Sequence, residues 1–128
     1  MAVFKVEFDK PYDEFEIGGE TYRAYYDDES LKKYEKAAEK FSKEAQKKVD
    51  LENMTAKQKK ALEDRQTKAI KETVEIFFGE GSFEPIYEAS GKSMLNMTKV
   101  LEAVFDWLNT KVQNVNKKAA EYYTKKSS

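Results

Sequence analysis

Ser90-Gly91-Lys92-Ser93 has the residue types of the end of a phosphate-binding loop, where glycine amides cradle phosphates and lysine and serine meet the oxygens and a magnesium ion. The full pattern needs another glycine five residues before Gly91. Ile86 stands there instead, and no strand precedes it. A helix stop followed by a serine N-cap accounts for all four residues. Gly79-Glu80-Gly81 is half of a dinucleotide fingerprint, but Glu84 holds the third glycine position and no β-α-β unit surrounds it, so it serves as a flexible link. Asp27, Asp28 and Glu29 form the densest carboxylate cluster, and paired carboxylates can move protons or hold magnesium. No loop of oxygen ligands accompanies them, whereas three acidic side chains suit the positive end of a helix. The chain contains no His and no Cys. That removes the usual general base, the usual transition-metal ligands, histidine triads, cysteine nucleophiles and disulfides. The residue types therefore point to a protein that is not an enzyme, holds no cofactor and no metal, and acts by binding other proteins.

The 128 residues fit one domain, 1–128. Hydrophobic residues make up 40%, charged ones 37% and aromatic ones 13%. Eight Phe, eight Tyr and one Trp supply enough burial to oppose chain entropy, which argues for a packed core. The net charge of −1 is unevenly spread: residues 1–30 carry three basic and nine acidic side chains. Nucleic-acid binding needs a basic face or stripe, and the mixed-sign helices offer none. Lys117, Lys118, Lys125 and Lys126 read as favourable charge near a helix C-terminus. There is no signal-peptide core and no apolar run of membrane-spanning length, so a cytoplasmic location with no membrane contact is expected. Two Asn-x-Thr sequons, beginning at Asn53 and Asn96, then read as helix-cap and helix-surface residues.

The elements follow from periodicity. Residues 1–26 read as β-structure. Phe4, Val6 and Phe8 alternate with charged residues, which makes residues 3–8 a candidate third strand. Phe15 and Ile17 alternate again before Gly18-Gly19, a two-residue hairpin turn, and Glu20 to Tyr26 returns. That register puts Phe15, Ile17, Tyr22, Ala24 and Tyr26 on one face and sets Glu14 opposite Arg23. Residues 28–126 read as helical. Helix one begins near Asp27–Ser30 and carries a narrow stripe of Leu31, Tyr34, Ala38, Phe41, Ala45 and Val49. Thr55 and Gln58 form a capping box for helix two, which turns strongly apolar at Ile70–Phe78 and stops at Gly79. Ser82 caps a short helix over 83–89 with Pro85 in its first turn. Ser93 caps a last helix reaching about residue 124.

The dominant stripe of that last helix runs from Met94 and Met97 through Leu101, Val104, Phe105, Leu108, Val112, Val115 and Ala119 to Tyr122 and Tyr123. Val100, Ala103 and Trp107 lie nearly opposite it. Two readings of Trp107 stand side by side: it covers the hairpin, or it is an interface hot spot. The predicted architecture is α+β and mainly α, a hairpin followed by a bundle of three long helices and one short one. Val100, Ala103 and Trp107, together with Leu31, Tyr34, Ala38 and Phe41 on the small-residue stripe of helix one, are the candidate protein-interface residues.

The opening hairpin with EIGGETYRAYY, the charged helix directly after it, and FFGEGSFEPIYEASGKSMLNMTKVLEAVFDWL together resemble the tail assembly chaperones of long-tailed bacteriophages and prophages of Gram-positive bacteria. The likeness spans most of the chain and lies in layout and texture; no diagnostic motif carries it. It implies a small protein of the host cytoplasm that binds the tape-measure protein, keeps its apolar helices soluble, helps recruit tail-tube protein, and self-associates. A structural head–tail or tail component of the virion is the alternative from a different class. Detection of the chain in purified particles separates the two.

Overall fold

The structure, a computed structural model, describes residues 1–127, with side chains through Glu121. It is an α+β fold in which a two-stranded antiparallel hairpin precedes four α-helices. β1 (Tyr12–Ile17) pairs with β2 (Glu20–Tyr25) in the register expected from the Gly-Gly turn, with Ile17 opposite Glu20 and Glu14 opposite Arg23. Both turn glycines have positive φ, which a Cβ would make costly. Residues 3–8 do not form the candidate third strand. The whole of 1–10 lies outside any element and is exposed, because alternation creates a face but does not by itself provide a neighbour to pair with.

α1 (Asp28–Ala45) starts where its acidic residues predict, with the Asp27 carboxylate accepting from the Ser30 amide at 3.2 Å. It ends four residues before Val49, which is exposed and outside the helix. Its buried residues are Leu31, Tyr34 and Ala37, so the inward stripe is rotated slightly from the expected one. A 3-10 turn at Leu51–Asn53 leads into α2 (Ala56–Phe78), whose Thr55–Gln58 capping box is complete. Gly79, at φ 104°, stops α2.

α3 (Phe83–Ala89) differs at its cap. The Ser82 hydroxyl donates back to the Gly79 carbonyl at 2.7 Å, and a Glu75 carboxylate from the preceding helix accepts from the Phe83 amide at 3.4 Å. α4 (Met94–Ser127) is capped by Ser93, whose hydroxyl accepts from the Asn96 amide at 3.1 Å.

The core has two joined parts. Ile70, Val74, Phe83, Ile86, Met97 and Leu101 fill the space between α2, α3 and α4. Leu31, Tyr34, Phe77, Val104 and Leu108 join α1 and α2 to the middle of α4. The expected α4 stripe is buried at Met97, Leu101, Val104 and Leu108 and partly buried at Phe105 and Val112. Val115 is 58% exposed, and every described residue from Gln113 to Glu121 is exposed. The 34 residues of α4 extend about 51 Å at 1.5 Å per residue, so its last turns run past the core. Tyr122 and Tyr123, the expected end of the stripe, lie outside the described side chains, as do Lys125 and Lys126.

Candidate functional site

The seven candidate interface residues separate into three groups. Leu31 and Tyr34 belong to the chain's own core, at 7% and 2% exposure. They do not form an outer surface, because α1 lays this stripe on α2 and α4. Tyr34 is stacked on Phe77, with ring centroids 4.4 Å apart and planes at 15°. Its hydroxyl donates to the Phe77 carbonyl at 3.3 Å and accepts from the Tyr25 amide at 3.1 Å, tying α1 to α2 and to β2. Burial pushes the phenol above its ordinary value. Ala38 and Phe41 are half-buried against the same core.

Trp107 covers the hairpin. Its indole N–H donates to the Asp13 carboxylate at 2.7 Å, and its ring stands edge-on to Phe15 at 5.9 Å. One turn further on, Lys111 reaches the same carboxylate oxygen at 2.9 Å and sits 4.4 Å from the centroid of the Tyr26 ring. The Trp107 hydrogen bond, then that of Lys111, holds the Asp13 carboxyl below the usual carboxylate range. This polar clasp fixes β1 on α4. Its signal lay in the sequence: Asp13 shares the inward face of β1 with Phe15 and Ile17, and Lys111 follows Trp107 by one helical turn.

Val100 is half-buried at the edge of the core, and Ala103 is exposed. With Trp107, which meets β1 at Asp13 and Phe15, they lie along one side of α4. The outer turns of α4 carry an open strip containing Val115 and Ala119. Among the described residues, no group of three or more acidic side chains comes together as metal ligands would, and no helix is long and apolar enough to cross a membrane.

Residues 18–128 match a family described as DUF6673, a family of unknown function. The chain belongs to the DUF6673 family. Comparisons of this DUF6673 protein with curated proteins and with solved structures find no match. The family match starts at Gly18, in the hairpin turn, and takes in the whole helical part.

The DUF6673 protein also has a concave surface that sequence reasoning missed. A cavity of about 740 Å³ opens between the end of α1, the start of α2 and the start of α4. Phe41, Ala45, Leu62, Ile70, Met94 and Leu95 line it with apolar side chains, and Glu44 and Arg65 sit at its rim, 3.3 Å apart. Leu95 is 78% exposed on its wall. The opening lies where the polar first half of α2 leaves the bundle. Phe41 and Leu62 show no local sign of it, since three elements must converge to create it.

Proposed function

We propose that this DUF6673 protein is a non-enzymatic chaperone of phage tail assembly that acts in the host cytoplasm. It binds the tape-measure protein, holds that protein's apolar helical segments in solution and aids assembly of the tail tube around them. The observation that carries the reading is the outer part of α4. There the core stripe continues beyond Leu108 and half-buried Val112 as exposed Val115 and Ala119. A helix that presents an unpaired apolar stripe is suited to another amphipathic helix, whose burial supplies the free energy of association. The cavity framed by Phe41, Leu62 and Met94 offers a second apolar surface for such a client.

The test is co-expression with a phage tape-measure protein. The wild-type chain is expected to keep the tape-measure protein soluble and to co-purify with it. Val115→Glu is expected to weaken that complex at least tenfold while leaving the thermal transition within about 0.5 kcal/mol, since the site is exposed and away from the core. Equal client binding by the variant would remove the α4 stripe from the mechanism.

A further inference from the structure

We infer that two copies of this chain exchange their opening segments, residues 3–8 of each adding as a third strand to the free edge of β1 of the other. The inference rests on the open strand edge and the exposed opening segment, and it is independent of the identity of the client.

The β1 edge of the hairpin is open, and the β2 edge is tied to α1 at Tyr25. Because Ile17 and Glu20 flank a two-residue turn, the odd residues of β1 direct their backbone groups at β2. The Tyr26 amide bonded to the Pro11 carbonyl at 2.8 Å continues that alternation. The even residues Tyr12, Glu14 and Glu16 therefore direct theirs outward. On the β2 side, Tyr34 receives the outward Tyr25 amide. On the β1 side, the amides of Glu14 and Glu16 have no hydrogen-bond partner among the described residues. An open edge of this kind is a template for another strand.

The chain also contains the matching strand. Phe4, Val6 and Phe8 are 89%, 72% and 87% exposed, each separated from the next by a charged residue. Set antiparallel with Lys5 opposite Glu14, this segment brings Phe4 opposite Phe15 and Glu7 opposite Tyr12. Lys5 then meets an opposite charge and Phe4 an aromatic ring, each remaining pair carries at most one charge, and no like charges meet. In that register the Phe side chains fall on the inward face, over the Val100–Ala103–Trp107 side of α4. The four exchanged Phe side chains alone cover about 600 Å² or more. With the receiving surface added, this reaches the ~1,200 Å² at which specific interfaces become stable.

The donor is a second copy because the segment's own root opposes a return. In this register a tight return on its own β1 closes with Glu7 bonded to Tyr12 around residues 8–11, but the Tyr12 amide already donates to the Lys10 carbonyl at 2.8 Å, which leaves Lys5 and Glu14 to close a longer loop. The Lys10 carbonyl is already bonded to the Tyr26 hydroxyl at 3.2 Å, beside the Pro11 bond. Reciprocal exchange closes the assembly at two copies.

Light scattering on the full chain and thiol cross-linking test this directly. The wild type is expected to be a dimer. Val6→Asp is expected to weaken dimerisation at least tenfold with unchanged helical circular dichroism. Lys5→Cys and Glu14→Cys chains, purified separately and mixed under mild oxidation, are expected to form a mixed disulfide dimer, since directly opposed Cα atoms at about 5.5 Å suit the bond. Lys5→Cys mixed with Glu63→Cys is expected to form none. A wild-type monomer would overturn both self-association and exchange. A dimer that survives Val6→Asp, or a Lys5→Cys/Glu14→Cys double variant that closes within one chain, would overturn exchange alone.

Discussion

Asp13 is the charged residue on the inward face of β1, and both of its partners come from α4, Trp107 and Lys111. Its carboxyl is held below the ordinary value of 3.8, first by the indole hydrogen bond and then by the ammonium. The folded chain therefore binds fewer protons at this site than the unfolded chain does. The stabilisation is present above the ordinary carboxylate value and is lost as pH falls through the folded one. Because the side chain is 44% exposed, solvent weakens the pair, and Asp13→Asn is expected to lower stability at pH 7 by about 1 kcal/mol. Urea unfolding at pH 7 and near pH 2.5 checks this: the gap to wild type should shrink at low pH, and an equal gap would mean that charge is not involved. Tyr34 makes a different kind of contribution. Tyr34→Phe keeps the stack on Phe77 but leaves the Tyr25 amide and the Phe77 carbonyl without their partner. It is expected to cost roughly 1–3 kcal/mol in chemical unfolding. A change below half a kcal/mol would mean that water replaces the hydroxyl. Both residues stood on recognisable apolar faces in the sequence. Their partners, 94 residues away for Asp13 and 43 for the Tyr34 hydroxyl, did not show there, because they exist only once the elements meet.

At the level of elements, the local signals were the reliable ones. Caps at Asp27, Thr55 and Ser93, the stop at Gly79 and the hairpin register all depend on neighbours within a few residues, and all stand in the structure. Features that depend on a distant partner did not. The stripe of α1 was carried on to Val49, and residues 3–8 alternated convincingly, yet neither has an element against it in one chain. Ser82 was a plausible cap whose role Glu75 took from another helix. The hairpin itself is held to α3 at a point the sequence could not mark: a Cβ on Gly18 would run into the Ala89 side chain, while one on Gly19 would meet open space. Both glycines have positive φ, so Gly19→Ala is expected to cost about 1 kcal/mol from backbone strain alone. Gly18→Ala adds overpacking of about 1–3 kcal/mol. Thermal melts of the two variants separate these terms; equal losses would mean that α3 moves aside freely.

For the whole molecule, the charged and aromatic residues are divided between a packed half and an offered half. The hairpin, α3 and the middle of α4 close around Phe77, Ile86 and Met97. The opening segment, the cavity at Leu62 and Met94, and the outer turns of α4 leave apolar side chains exposed at separate places. Exposed apolar surface distributed in this way suits a protein whose work is to cover the surfaces of others. The most direct measurement of the central claim is amide hydrogen exchange on the chain alone and in the presence of a tape-measure protein, the client proposed for it. Bound client is expected to slow exchange across residues 113–121, where α4 has left its own core, and to leave the buried turns around Val104 unchanged. Unaltered exchange over 113–121 in a formed complex would contradict the account.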